Sequence, residues 1–394
     1  MKLLLALMSG WSLWTEPVPR SEREYYVEVA APDARAVADL AQQGFDVGGV
    51  DLDRGTATLV LPHWQLAQAD GLRVVSTRLI TPPDEGFHTP AEVAEVLYRA
   101  ESAYPHLVRV ERIGSSVEGK PLLAALVTAR FVSGSEPKPA VLFDGMHHAR
   151  EVMTPEVLLD LLEYLTSRYD TDADVQKWVN DYEIWVVPML NPDGNNKVWT
   201  SASMWRKNTQ GGYGVDVNRN YPYAWNTCNG SSGNKQSETY RGPSAGSEPE
   251  TQAIMALTGK IRPVYNVSYH SYSEIVIYPF GCSPKKIPSP DREIYEGVGK
   301  ELASRLVRDT GSGAYRAGTS YELLYDVDGG SVDWMYATHR VISFVVEVNS
   351  SAQGFQPSFT SWRKRTVEAQ REGWKYILGK MSDGGLPEEP ESGG

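Results

Sequence analysis

His148 and Glu151 stand three residues apart, and His270 is a second imidazole far along the chain. Together they can offer one ion two nitrogens and one carboxylate while leaving a fourth position for water, the donor set a hydrolytic zinc centre requires. The chain has seven histidines, so a His-x-x-Glu pair can arise by chance, and its weight depends on what carries it. The apolar run Ala140 to Gly145 leads into His147-His148-Ala149-Arg150-Glu151, Val264 to Tyr269 ends at His270, and Val341 to Val346 delivers Glu347. In an open α/β sheet, ligands gather outside the C-terminal ends of strands, so three such ends can converge on one site.

The elements around these runs read as an α/β sheet between helices. Thr89-Pro90-Ala91-Glu92 joins a capping box to proline at the first helical position and predicts a helix to about Ala103. Strands are expected at 107–113, 121–128, 139–146, 182–190, 264–270 and 341–348. Helices are expected at 154–168, 173–180, 248–260, 290–308 and 360–379, with a long loop region over 191–247.

Residues 24–78 form a segment of their own, reading strand, helix, strand, strand, helix, strand, the split βαβ order of a ferredoxin-like α+β unit. It holds one histidine, no cysteine and no convergent polar cluster, so no chemistry of its own is expected. Thr81 to Gly86 reads as a linker. Lys2 and the apolar run to Trp14 are too short to span a bilayer and read as a secretory signal peptide over 1–21, with an N-terminus packed on the domain as the alternative. The tail 381–394 is acidic and glycine-rich and is expected to be disordered. Cys228 and Cys282 are an even count in a chain read as exported, which permits a disulfide; two buried thiols are the other reading.

Composition narrows the function classes. Hydrophobic residues make up 41% and charged residues 22%, as in a folded globular protein. The net charge of −12, with no basic cluster, excludes a phosphate backbone as partner.

The motifs resemble those of the zinc metallocarboxypeptidases of the carboxypeptidase A, B and T family. In order they are His148-x-x-Glu151, Asn191-Pro192-Asp193-Gly194, Met204-Trp205-Arg206-Lys207, Gly214 to Asn220, Ser237-Glu238-Thr239-Tyr240-Arg241-Gly242 and His270-Ser271-Tyr272-Ser273. Tyr278-Pro279-Phe280-Gly281, Gly329 to Trp334 and Phe344 to Glu347 follow, and the match spans most of 86–380. The resemblance implies one Zn²⁺ held by His148, Glu151 and His270, the donor set already established for carboxypeptidase A. It implies Glu347 as the group that takes the water's proton, Arg206 facing the developing oxyanion, and Arg219 gripping the substrate's terminal carboxylate beside Asn218 and Tyr325. Asp216 would orient a ligand histidine, Arg150 and Tyr272 would line outer subsites, and Val332 would floor the terminal side-chain pocket. His147 is read as a neighbour of the ligands, and His63, His88, His106 and His339 as surface or structural histidines.

Pattern and resemblance together give the expected organisation, in which the resemblance makes the ferredoxin-like unit an activation segment: signal peptide 1–21, activation domain 22–80, linker 81–86, catalytic domain 87–380 and tail 381–394. The expectation is a secreted, monomeric zinc carboxypeptidase made as a zymogen, opened by an activating protease and cutting apolar or aromatic residues from peptide C-termini. Val332 stands where members favouring basic termini carry an acid, yet Glu322, Asp326 and Asp328 lie close in sequence and keep a dual or basic specificity open. A peptidase of bacterial cell-wall peptides, a deacylase of acyl amino acids and a peptide-binding pseudoenzyme are the rival readings.

Overall fold

The computed structural model describes residues 23–129 and 138–385. The signal-peptide reading, and the tail beyond residue 385, fall outside the described residues.

The N-terminal unit comprises β1 (Glu24–Ala30), α1 (Ala34–Gln42), β2 (Val47–Asp51), β3 (Thr56–Pro62), a 3-10 turn (His63–Gly71) and β4 (Val74–Leu79). Its antiparallel sheet has the order β2-β3-β1-β4, as the split βαβ reading requires. Asp33 caps α1 by accepting the Ala36 N–H, and Val37 and Leu40 bury the helix on the sheet. The expected second helix is only the 3-10 turn, since a single residue of it, Ala69, is buried. β4 is exposed along its length.

The larger unit is built from α2 (Pro90–Ala103), β5 (Val108–Ser115), β6 (Pro121–Val127), β7 (Ala140–Gly145), α3 (Met153–Arg168), α4 (Ala173–Asp181), β8 (Glu183–Val187) and α5 (Pro192–Thr200). After a long irregular stretch come α6 (Pro249–Ile261), β9 (Tyr265–Ser271), β10 (Ile275–Ile277), α7 (Asp291–Arg305), β11 (Arg316–Gly318), α8 (Ser320–Leu323), α9 (Ser331–His339), β12 (Ile342–Val348) and α10 (Phe359–Lys380). The mixed eight-stranded sheet runs β11-β10-β12-β9-β7-β8-β6-β5, with β12, β9, β7 and β8 parallel at its centre.

Both faces of that centre are covered, so its strands read as unbroken apolar runs. In β7, Val141 and Phe143 join the core under α2, α3, α7 and α10, while Ala140 and Leu142 join the core under α6 and α9. Each such buried side chain contributes roughly 1.5–3 kcal/mol through burial.

Three expectations need correction. The region 191–247 contains α5, whose sequence shows no apolar stripe; Asn191 caps it through the Gly194 N–H and Pro192 starts it. Ser331–His339 is a helix that starts directly after the Gly329-Gly330 turn. β10 and β11, three residues each, are too short for a period to register.

Candidate active site

Three parallel strands deliver the chemistry. β7 ends one residue before Met146, after which His147 to Glu151 lead into α3; β9 carries His270, and β12 carries Glu347 opposite His270 in register. His148 Nδ1 lies 2.7 Å from Glu151 Oε1, and His270 Nδ1 lies 3.2 Å from His148 Nδ1 and 3.1 Å from Glu151 Oε2. These three buried residues form the one candidate metal group among the described residues.

Glu151 Oε2 is buried with no hydrogen-bond partner, and two imidazole Nδ1 atoms face each other. A tetrahedral zinc with ligand bonds of about 2.0–2.1 Å sets its donors about 3.3 Å apart. The donors, their spacing and the unsatisfied oxygen therefore fit Zn²⁺. Burial alone would raise the Glu151 pKa, but the two imidazoles hold it below the usual carboxylate range. Burial lowers His270, favouring the neutral ring that can coordinate.

Asp216 lies beneath this group. Its Oδ1 sits 3.2 Å from His148 Nε2, fixing which ring nitrogen points at the metal position, and its Oδ2 accepts Arg206 Nε at 3.1 Å and Nη2 at 2.9 Å. Burial opposes ionisation of Asp216, but Arg206 and His148 outweigh it and keep its pKa well below normal. Arg219 gives Nε to the Gly230 carbonyl (2.9 Å) and Nη1 to the Asn218 carbonyl (3.0 Å). His147 turns away from the ligand group: its Nε2 is 2.9 Å from the Tyr221 hydroxyl, and its ring stacks on His270. His88 is tied to Glu156 at 2.7 Å, consistent with a structural histidine.

One cleft brings His148, Glu151, Arg206, Asn218, Arg219, Tyr272, Tyr325, Val332 and Glu347 together. Glu347 is half-buried at its wall, and burial, reinforced by the Glu151 charge, pushes its pKa up to about 8. The inner end is apolar, with Ile277, Leu324, Val327, Val332 and Val345.

The acids considered as a basic-specificity charge do not line the cleft. Asp326 accepts the Ser283 N–H at 2.6 Å, Glu322 caps its own helix with Thr319, and Asp328 accepts the Thr227 and Cys228 N–H groups at 3.0 and 3.1 Å. The acid that does line it is Asp333, beside Val332; it accepts the Gly281 N–H at 2.8 Å, and burial raises its pKa to about 7. It lies within the Gly329 to Trp334 motif, and the resemblance assigns it no role.

The roof of the cleft is the N-terminal unit. Val47, Gly48 and Gly49 line it, and the Val50 N–H donates to Ser273 Oγ at 3.0 Å. A Cβ on Gly49 would lie 2.5 Å from the Tyr272 carbonyl oxygen, so only glycine lets the backbone come this close. Asp46 grips the fully buried Arg150 with both oxygens, at 2.5 and 2.8 Å, while Arg150 also lies over the Phe355 ring. Arg150 and Tyr272, expected at outer subsites, are thus covered by this unit. Nothing in the sequence near Asp46 announces the pair, whose partners are 104 positions apart. Cys228 and Cys282 form a disulfide.

The profile described as zinc carboxypeptidase matches residues 93–372. The chain belongs to the zinc carboxypeptidase family. It is 33% identical over 270 residues to a metallocarboxypeptidase A of Arthroderma otae and 32% identical over 276 residues to carboxypeptidase A2 of Rattus norvegicus, matches that cover 66% and 68% of this chain. They span 61% and 64% of those relatives' own lengths. Among solved structures, carboxypeptidase A from Helicoverpa armigera has a TM-score of 0.75 at 23% identity, covering 92% of this chain and 97% of its own. Thrombin activatable fibrinolysis inhibitor has a TM-score of 0.76 at 22% identity, covering 92% and 99%, so this chain shares their fold. Zinc is its metal, and His148, Glu151 and His270 are the candidate ligands.

Proposed function

We propose that the protein is a zinc carboxypeptidase that hydrolyses the C-terminal peptide bond of peptides and proteins, prefers apolar or aromatic terminal residues, and is made as a zymogen. The observation that carries this reading is the single cleft in which the candidate zinc group, the Glu347 carboxylate and the Arg219 guanidinium meet above an apolar end.

Bound zinc supplies Lewis acidity and lowers the pKa of water. Glu347, at the cleft wall beside the candidate zinc group, accepts a proton from the attacking water and passes it to the leaving amine. Arg206, held by Asp216, presents positive charge to the carbonyl oxygen as it becomes an oxyanion, a contribution of about 10²- to 10³-fold by analogy with other oxyanion donors. Arg219 and Asn218 hold the terminal carboxylate, with Tyr325, which also lines the cleft, beside them. The terminal side chain enters the apolar end, gaining about 0.8 kcal/mol per buried CH₂. Asp333 is kept largely neutral by burial at mildly acidic pH and does not oppose this.

The zymogen reading rests on the N-terminal unit's cover over the cleft, with Asp46 occupying Arg150. Export is supported by the apolar start and by the disulfide. Among the described residues no helix is long and apolar enough to cross a membrane.

The test is turnover of two peptides differing only in terminal Phe or Arg, before and after proteolysis in the linker and with a zinc chelator. The reading expects faster release of Phe, higher kcat/KM after cleavage, and loss of activity on chelation that zinc restores. Faster release of Arg refutes the specificity, equal kcat/KM before and after cleavage refutes the zymogen, and chelator-resistant hydrolysis refutes the mechanism.

A further inference from the structure

The loop that follows α8 is tied into its surroundings by more bonds than a connector needs. Asp328 is fully buried, yet among the described residues no cation pairs with it. Its carboxylate accepts the Thr227 N–H, the Cys228 N–H and the Ser231 hydroxyl, so both of its oxygens are engaged by the 227–231 stretch. That stretch contains Gly230, whose carbonyl holds Arg219 Nε at 2.9 Å. Gly230 is pressed on the same loop: a Cβ there would lie 2.5 Å from the Asp328 nitrogen and 2.6 Å from Val327 Cα.

The other end of the arrangement is covalent. Cys228 is joined to Cys282, and the residue before it, Gly281, lines the cleft, accepts the Val327 N–H at 3.0 Å and donates to Asp333. Asp326 receives the Ser283 N–H, and Ser331 donates its N–H to Asn218 Oδ1 at 2.9 Å. The three stretches 227–231, 281–283 and 326–331 thus close into a ring around Arg219 and Asn218, and Tyr325 emerges from one side of it.

We propose that Asp328 and the Cys228–Cys282 disulfide are positioning elements for binding of the substrate's terminal carboxylate. They fix the Gly230 carbonyl, and through it the plane of the Arg219 guanidinium. This rests on the reading of Arg219 as the carboxylate anchor. A guanidinium binds a carboxylate in bidentate fashion only when its plane is set, so a loosened Gly230 weakens binding while the proton-transfer and metal groups keep their places. Neither Asp328 nor the disulfide contacts substrate.

The test compares wild type, Asp328→Asn, Cys282→Ser and Arg219→Ala as full zinc-loaded chains, with and without limited proteolysis. Asparagine keeps the shape of Asp328 but has one accepting oxygen for three donors. Asp328→Asn and Cys282→Ser are expected to raise KM for a free-acid peptide, and Ki for 3-phenylpropanoate, about tenfold, roughly the loss of one charge-assisted hydrogen bond. Their kcat should change less than threefold, and zinc content and Ki for acetohydroxamate, which lacks the anchored carboxylate, should stay unchanged. Mild reduction of the folded wild type should reproduce the Cys282→Ser shift, and reoxidation should reverse it, even if a variant folds poorly. If Arg219→Ala weakens 3-phenylpropanoate but neither the variants nor reduction do, the positioning role is overturned while the anchor survives. If Arg219→Ala itself leaves KM and Ki unchanged, the anchor assignment falls, and this inference with it.

Discussion

Asp46→Asn is the sharpest probe of how the N-terminal unit is held over the cleft. The pair it breaks joins an Asp46 side chain that is 15% exposed to an Arg150 side chain with no exposure. Removing one partner of a buried pair costs about 3–5 kcal/mol because the other charge is left without compensation. Here the cost is smaller, because asparagine retains one acceptor and because Glu24 and Glu238 both lie within electrostatic reach of Arg150. About 2–3 kcal/mol remains, or roughly 30- to 150-fold in affinity. The assay nicks the full chain in the linker 81–86 and measures dissociation of the N-terminal unit, with exposed Asp70→Asn as control. Retention within threefold of wild type, or an equal loss in Asp70→Asn, would mean that the Asp46 pair is not what fastens the unit.

Three further outcomes are expected. Glu347→Gln should keep stoichiometric zinc while kcat falls at least about 10²-fold; zinc loss in that variant would contradict its assignment as a proton carrier outside the ligand set. Val332→Asp should narrow or reverse the preference for terminal Phe over Arg, since an unpaired Arg head costs several kcal/mol to desolvate; an unchanged ratio of kcat/KM values would remove Val332 from the pocket floor. Burial raises the Glu24 pKa from the ordinary 4.5 to about 7, so the docked unit favours the proton: docking is strongest below about pH 4.5 and weakens as pH rises through 7. Retention of the nicked unit should therefore be greater at pH 5 than at pH 8, and Glu24→Gln should flatten the profile; tighter docking at pH 8 would show the sign to be wrong.

What could be read in the sequence follows from which physical signals are local. Ala140 to Gly145 and Ile342 to Val348 announce themselves because strands buried on both faces must be continuously apolar, so the positions of His148, Glu151, His270 and Glu347 at strand ends were legible. The helix at Pro90 was legible from its capping box alone. By contrast, α5 is held by a cap and by polar burial of Asp193 and Asn195, which leave no stripe to find. The Asp46–Arg150 pair and the tasks of Asp328 depend on contacts across 100 or so positions, which no local pattern encodes. Asp328 illustrates the point: its type and place in sequence suggested a pocket charge, whereas its three donors all come from a distant loop.

The register of β9 against β12 sets His270 directly across from Glu347, so the backbones that carry the candidate ligand and the proposed proton carrier lie one interstrand spacing apart, about 4.8 Å. The chain between the two strands, residues 272–341, does not set that spacing. The loops within it, including those that carry Tyr325 and lead to Val332, can change length without altering this pairing. A single-residue deletion inside β12 before Glu347 has the opposite effect: it turns that carboxylate to the far face of the sheet and ends catalysis at once. An insertion in those loops leaves the pairing of His270 with Glu347 intact, whereas one inside either strand breaks it.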